Sequence, residues 1–394
     1  MALVSIGIHG PLETFLSAVR VLHLIKTLEL GGAETNLRNL VKVFDRSRVE
    51  THVGYSFGGP IEQDFAQAGA RLFKYSDQSH RIASFSSLGV IFRIAQYVRQ
   101  NKIHIIHTHN FNAHFWGGVA AKLTGARLVE HVHDFRYMPQ DEYRRRRGFT
   151  AQFGHAPKFA RWADRIVVLT QTDVETLTRL GVPARRIVRI QNGIPIADRP
   201  KPGLSLKSRL GLSEDSLVVF TAARLAPEKN IDLLVRVAAD VLARNNRAVF
   251  VVAGSGPEND VLRRTAAPLG DRFRFMGFEP DIEPLLSGSD IFCLPSFLEL
   301  HSIALLEALN SGTACVVSAR TGCHEDFLVN NENALLFDPF QDEGWAEGIL
   351  SLLEDGAKRK RIAQNGRELC RTKFDILNTA RSFENFYDQL IREK

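Results

Sequence analysis

The chain has 394 residues, too many for one ordinary core and suited to two or three domains of roughly 150 residues each. With 44% hydrophobic and 24% charged residues its composition is globular, which excludes a disordered, collagenous or disulfide-scaffold chain. A net charge of +6 suits anionic small molecules or an anionic membrane surface and does not by itself imply nucleic acid.

Residues 1–20 lack the basic stretch and small-residue cleavage site of a signal peptide and read as an extension ahead of the first core strand. Short apolar runs then recur at Val21–Ile25, Val49–Tyr55, Ile103–His107, Arg127–His131 and Arg165–Leu169. A second series follows at Leu217–Thr221, Ala248–Ala253, Arg272–Phe275, Asp290–Leu294 and Thr313–Ser318. Near-continuous apolar runs mark strands buried on both faces, so both series predict parallel sheets covered by helices. The alternation predicts an α/β class. Thr172 with Glu175 forms a capping box and predicts a helix start. Between the two series, Gln191–Pro195 and the Pro- and Gly-rich Asp198–Gly203 predict a linker. The domains are therefore read as a 1–20 extension, an N-terminal Rossmann-like domain over 21–195 and a C-terminal one over 196–374. The helix 375–394 is expected to pack back on the first domain. Cys293, Cys315, Cys323 and Cys370 show no CxxC spacing and read as reduced thiols. No apolar run approaches the ~18 residues of a membrane span.

Chemistry concentrates in Ser296–Gly312. Ser302 to Leu309 reads as a helix with Gly312 just beyond its end, which places Glu299 on the entering loop and Glu307 further along. A helix N-terminus offers unpaired N–H groups and positive dipole, and binds a diphosphate without a metal. Flanking carboxylates accept hydrogen bonds from sugar and ribose hydroxyls. Taken alone, two such glutamates also read as ordinary surface charges. Upstream, Arg224 and Lys229 follow a buried strand at its carboxyl end, where ligands sit in open α/β sheets. An arginine fork and a lysine point charge there suit a departing nucleoside diphosphate.

This combination resembles the retaining GT-B glycosyltransferases (the glycosyltransferase family 4-like, group 1 family), from about Val21 to Phe386. The resemblance implies two Rossmann-like doubly wound domains facing a central cleft. It implies retaining, metal-independent transfer from a UDP- or GDP-sugar to a saccharide or polyprenyl-diphosphate-linked acceptor, in cell-surface polysaccharide or glycolipid synthesis. No cofactor and no nucleic acid is implied, and the location is cytoplasmic or peripheral at the inner membrane face. By the same resemblance Gly31 and Gly32 form the Gly-rich loop, and His133 is the active-site histidine that meets the transferred sugar. His109 is an N-domain histidine assigned to the acceptor side, and Asn192-Gly193-Ile194 is the hinge. Arg224 and Lys229 bind the diphosphate, Gly254 lies on a second glycine turn and Gly277 lies where the base is held. Glu299 sits near the donor sugar, Ser302 and Ile303 start the donor-binding helix, and Glu307 reaches the ribose.

Two departures stand out. Leu300-His301-Ser302 replaces the glycine-bearing run of relatives, and Cys323 replaces a second glycine. Glycine permits close backbone approach, so Leu300 is expected to reshape the sugar pocket and His301 to add a contact. The departures also fit an alternative, a catalytically weak nucleotide-sugar-binding subunit that supports a partner glycosyltransferase. Gly254 to Gly256 is not a dinucleotide fingerprint, since Asn259 takes the third glycine position. Arg144, Arg145, Arg146 and Arg147, in a polar insertion over 135–158, read either as a solvated charge run or as a contact for anionic lipid.

Overall fold

Continuous burial explains the central strands. In Leu217–Ala222 and Ala248–Ala253 all six residues are buried, with Val219 and Phe250 feeding one core layer and Phe220 and Val251 the other. The computed structural model describes residues 18–77, 85–134, 160–196 and 206–393. Its first sheet holds β1 (Val19–Leu24), β2 (Val49–Tyr55), β3 (Arg71–Lys74), β4 (Ile105–Thr108), β5 (Arg127–His131), β6 (Arg165–Val168) and β7 (Ile187–Arg189). The second holds β8 (Leu217–Ala222), β9 (Ala248–Ala253), β10 (Phe273–Gly277), β11 (Ile291–Leu294), β12 (Ala314–Ser318) and β13 (Leu335–Phe337).

Every pairing is parallel, in the orders β3-β2-β1-β4-β5-β6-β7 and β10-β9-β8-β11-β12-β13. Strand order reverses once in each sheet, between β1 and β4 and between β8 and β11. The crevice outside the carboxyl ends at such a reversal is where doubly wound folds bind ligands. Helices cover both faces, as in Ile231–Arg244, whose buried stripe includes Leu234, Val237 and Val241.

Three edge strands escape a search for apolar runs. β3 has no buried residue, β7 has none, and β13 has one. β1 begins at Val19, paired with Val49, so the first strand starts inside the segment read as an extension. The capping box lies two residues upstream of the expected one. Thr170 is the N-cap, in extended conformation, and its Oγ1 accepts from the Asp173 amide at 3.0 Å, whereas Thr172 is already helical. Residues 135–158 with Arg144–Arg147, and the linker segment 198–203, lie outside the described residues.

The chain crosses between the lobes twice, side by side. Ile194 and Asp375 form a parallel bridge, with the Ile194 amide donating to Phe374 O and the Ile376 amide to Ile194 O, both at 2.9 Å. Gly193 permits this contact, since a Cβ there would lie 2.8 Å from Ile376 Cα. The final helix, Ile376–Arg392, returns to the first lobe and buries Phe383, Tyr387 and Leu390 beside Leu37 and Val41. The lobes also meet through loops at the carboxyl ends of their sheets. Asp326, after β12, accepts from the Gln171 amide at 2.9 Å and from Arg189 at 3.0 Å. Among the described residues no helix is long and apolar enough to cross a membrane.

Candidate active site

In the second lobe the site grows from one asparagine. Asn230 sits at φ 53°, a left-handed conformation that asparagine tolerates better than most residues. Its buried Nδ2 donates to Pro295 O at 3.1 Å and Pro339 O at 3.0 Å, which pins the loop after β8 to those after β11 and β13. Lys229 thereby places Nζ 2.7 Å from Glu299 Oε1, and that oxygen also accepts from Ser296 Oγ at 2.7 Å. Glu299 is 5% exposed. Arg224, by contrast, has a side chain 65% exposed and ion-paired with Glu228. The structure therefore joins Lys229 to Glu299 and leaves Arg224 on the rim.

Three residues beyond Glu299, Ser302 caps the helix Ile303–Ser311, its Oγ accepting from the Leu305 amide at 3.3 Å. Gly312, at φ 75°, closes the helix as the sequence predicts. The amides of Ile303 and Ala304 have no intrahelical acceptor and carry the positive end of the dipole. Glu307 lies on the second turn, half-buried. His301 departs from expectation. Its ring packs against Phe327 and Phe374, at 5.4 and 5.0 Å between centroids, and its carbonyl accepts from Asn192 Nδ2 at 3.0 Å. The ring thus belongs to the hinge side, and burial pushes its pKa down to about 3. Gly254 has a local steric reason: at φ +145°, a Cβ would lie 1.9 Å from Ala223 O. Its amide donates to Gly277 O at 2.6 Å, and Gly277 turns at φ +85°, so the ends of β8, β9 and β10 nest together.

In the first lobe, Gly31 is the N-cap of the helix Gly32–Val43, and a Cβ on it would meet the Glu34 carboxylate at 2.4 Å. Gly32 is exposed, with nothing within 4 Å of a built Cβ. Burial raises the Glu34 carboxyl above its usual range. The same lobe holds five imidazoles on and just beyond β1, β4 and β5. His23 on β1 pairs in register with His107 on β4. His109 and His133 follow His107 and His131 at the i+2 spacing that keeps side chains on one sheet face. His23 Nδ1 lies 3.0 Å from His109 Nε2, and His109 Nδ1 lies 3.1 Å from His133 Nε2. His107 Nδ1 meets Tyr387 Oη at 2.6 Å. Burial first, then the neighbouring imidazoles, pushes His23, His107 and His131 well below the ordinary histidine range. Two overlapping trios, His23–His107–His109 and His109–His131–His133, bring ligand nitrogens within 4.8 Å of one another, near enough to consider a transition metal.

His109 and His133 are thus brought together. His104 instead pairs with Arg20 away from the cluster. Sequence reasoning missed His23, Tyr387 and Asn230, whose partners lie far along the chain. The chemistry on offer is a cation and a helix N-terminus in one lobe, with neutral imidazoles in the other.

The family description "Glycosyl transferases group 1" matches residues 205–369, and "Glycosyltransferase Family 4" matches residues 30–198. The chain is 25% identical over 392 residues to the UDP-Gal:alpha-D-GlcNAc-diphosphoundecaprenol alpha-1,3-galactosyltransferase of Escherichia coli, covering 96% of this chain and 99% of that one. It is also 25% identical over 306 residues to the alpha-D-kanosaminyltransferase of Streptomyces kanamyceticus, covering 72% and 77%. In fold it is similar to Anabaena Alr3699/HepE, crystallised with UDP and glucose, at a TM-score of 0.79 and 22% identity, over 94% of this chain and 99% of that one.

Proposed function

The chain is a glycosyltransferase of the GT-B group 1 family, and from that membership we propose retaining transfer without a metal at the diphosphate. The donor in this reading is a UDP- or GDP-sugar and the acceptor a saccharide or polyprenyl-diphosphate-linked saccharide. The barrier is charge separation. The sugar becomes oxocarbenium-like while negative charge gathers on the leaving diphosphate. Lys229, Arg224 and the amides at the Ser302-capped helix start receive that charge, preorganised in a site from which closing lobes exclude water. Glu299 orients the donor sugar, Glu307 the ribose, and His133 meets the sugar near the reacting carbon. Gly31 and Gly32 leave room for the donor phosphates and the acceptor.

The observation that carries this reading is the Lys229–Glu299 contact, 2.7 Å long, at the strand-order reversal of the second sheet and three residues before a helix N-cap. The names of the E. coli relative's donor and lipid-linked acceptor favour the same substrate classes. The test is a panel of UDP- and GDP-sugars offered with lipid-diphosphate saccharides, with the anomeric configuration of product read by NMR, with and without EDTA. Retention and an unchanged rate in EDTA are expected; inversion, or activity abolished by the chelator, would refute the reading. Contact of Arg144–Arg147 with anionic lipid belongs to the same proposal, and vesicle binding unchanged by replacing the four arginines would remove it.

A further inference from the structure

At the carboxyl ends of β1, β4 and β5 in the first lobe, three imidazoles are joined nitrogen to nitrogen, His23 to His109 and His109 to His133. The geometry points to a hydrogen-bonded imidazole chain in which His23 and His109 are positioning residues that fix which nitrogen of His133 carries its proton. The functional meaning of this chain rests on the reading that His133 meets the donor sugar.

A neutral imidazole has one N–H and one lone pair. Two N···N bonds in series therefore allow only two proton arrangements, each running in one direction. In the first, His133 donates from Nε2, His109 donates from Nε2, and the chain ends on an N–H at His23 Nε2. That nitrogen is buried and has no hydrogen-bond partner among the described residues. In the second, His23 donates from Nδ1, His109 donates from Nδ1 to His133 Nε2, and the unmet atom is a lone pair on His23 Nε2. An orphaned buried N–H is the rarer defect. The second arrangement follows, and His133 carries its proton on Nδ1.

The surroundings hold the chain in register. His23 is 1% exposed and His109 2%, so solvent does not compete for their nitrogens. The His107 ring stacks on His109 at 4.6 Å between centroids, and Tyr387 of the last helix anchors His107 from behind. Burial holds His23 neutral, which preserves the chain, since an imidazolium would donate from both nitrogens. With Nε2 committed as acceptor, His133 keeps Nδ1–H as a donor. Held in that tautomer, His133 cannot act as a base through Nε2.

The test uses the full chain labelled with ¹⁵N-histidine. Long-range proton–nitrogen correlation reads the tautomer, and the His133 signal is assigned by its loss in His133→Gln. Wild type is expected to show one His133 tautomer, protonated on Nδ1. His23→Phe keeps a ring but removes the donor. It is expected to mix the two tautomers of His133 and lower kcat roughly tenfold, with donor KM unchanged. His23→Asn, whose Nδ2 amide takes the place of imidazole Nδ1, is expected to restore the single tautomer, which bulk packing alone would not do. His109→Gln cuts the chain one link nearer and serves if His23→Phe does not fold. An Nε2-protonated or mixed His133 in wild type overturns the proposal. So does a single tautomer that survives both cuts, or one equivalent of zinc in the purified protein, which would make these imidazoles ligands. If His133→Gln leaves transfer intact, the contact reading fails while the tautomer spectra still decide the chain.

Discussion

Lys229 Nζ stands 2.7 Å from Glu299 Oε1, 70 positions away, on a carboxylate whose residue is 5% exposed. The pair ties the loop after β8 to the loop after β11 at the point where strand order reverses. A carboxylate so far from water depends on its partner, because removing one ion of a buried pair leaves the other uncompensated.

Lys229→Met therefore carries two separable costs. Stability is expected to fall by about 2–4 kcal/mol, since among the described residues Glu299 keeps only the Ser296 hydroxyl as a hydrogen-bond donor. The double variant Lys229→Met/Glu299→Gln is expected to regain most of that loss, because no unpaired charge remains. Turnover is expected to fall on the order of 100- to 1,000-fold in both proteins, as for loss of a preorganised charge-stabilising donor. Urea unfolding alongside initial rates separates the two costs, and turnover recovered by the double variant would remove Lys229 from the reaction.

Arg224 should behave differently because its ion pair with Glu228 is a surface pair. Such pairs contribute little to folding, so Arg224→Ala is expected to leave stability within about 0.5 kcal/mol. Its effect is expected in kcat/KM for the donor, increasingly so as the leaving diphosphate demands more charge. Equal kcat/KM in the variant and wild type, over a series of donors, would confine Arg224 to the rim.

Two glycines give opposite predictions. Gly254→Ala must place a Cβ 1.9 Å from Ala223 O at φ +145°, where the backbone itself is strained. A loss of at least about 2 kcal/mol and a lower Tm are expected. Gly32→Ala meets open space and helical geometry, so Tm is expected to hold while donor or acceptor KM rises. A thermal scan of both variants is enough to compare them; a destabilised Gly32→Ala would show that the glycine serves the fold.

What the sequence reveals follows the range of the interactions. The helix at Ser302 is legible because a local serine cap and a local glycine stop bound it. The central strands are legible because both faces are buried. β3, β7 and β13 are not, since each is only three or four residues long with at most one buried residue. His109 and His133 stand out by their i−2 companions, whereas His23 is a lone histidine in an apolar strand. Only the adjacency of β1 and β4 gives it a role, and Tyr387 reaches His107 across 280 positions. The site's charges are readable as residue types; which cation meets Glu299 depends on Asn230 and a turn that no local pattern marks.

Acid sensitivity follows from the buried imidazoles. His23, His107 and His131 are held well below the ordinary value of 6.5 in the folded chain, and His301 at about 3. Above pH ~6.5 both folded and unfolded chains leave them neutral, and they add no pH dependence. Below it the unfolded chain binds more protons than the folded one, so stability falls as pH falls, by up to about 1.4 kcal/mol per pH unit for each. Asp173 acts with the opposite sign: burial raises it to about 6, so between pH ~4 and 6 the folded chain holds its proton, offsetting one histidine. The net expectation is a Tm that is flat between about pH 7 and 8, where none of these groups or the buried thiols titrates in either state, and that declines steadily from pH ~6.5 downward. His131 is the residue to replace, because both its nitrogens lack partners among the described residues and Phe fills similar space. His131→Phe is expected to flatten the decline and move the acid midpoint to lower pH. Superimposable Tm–pH curves for wild type and variant would mean that the histidine cluster does not set the acid limit.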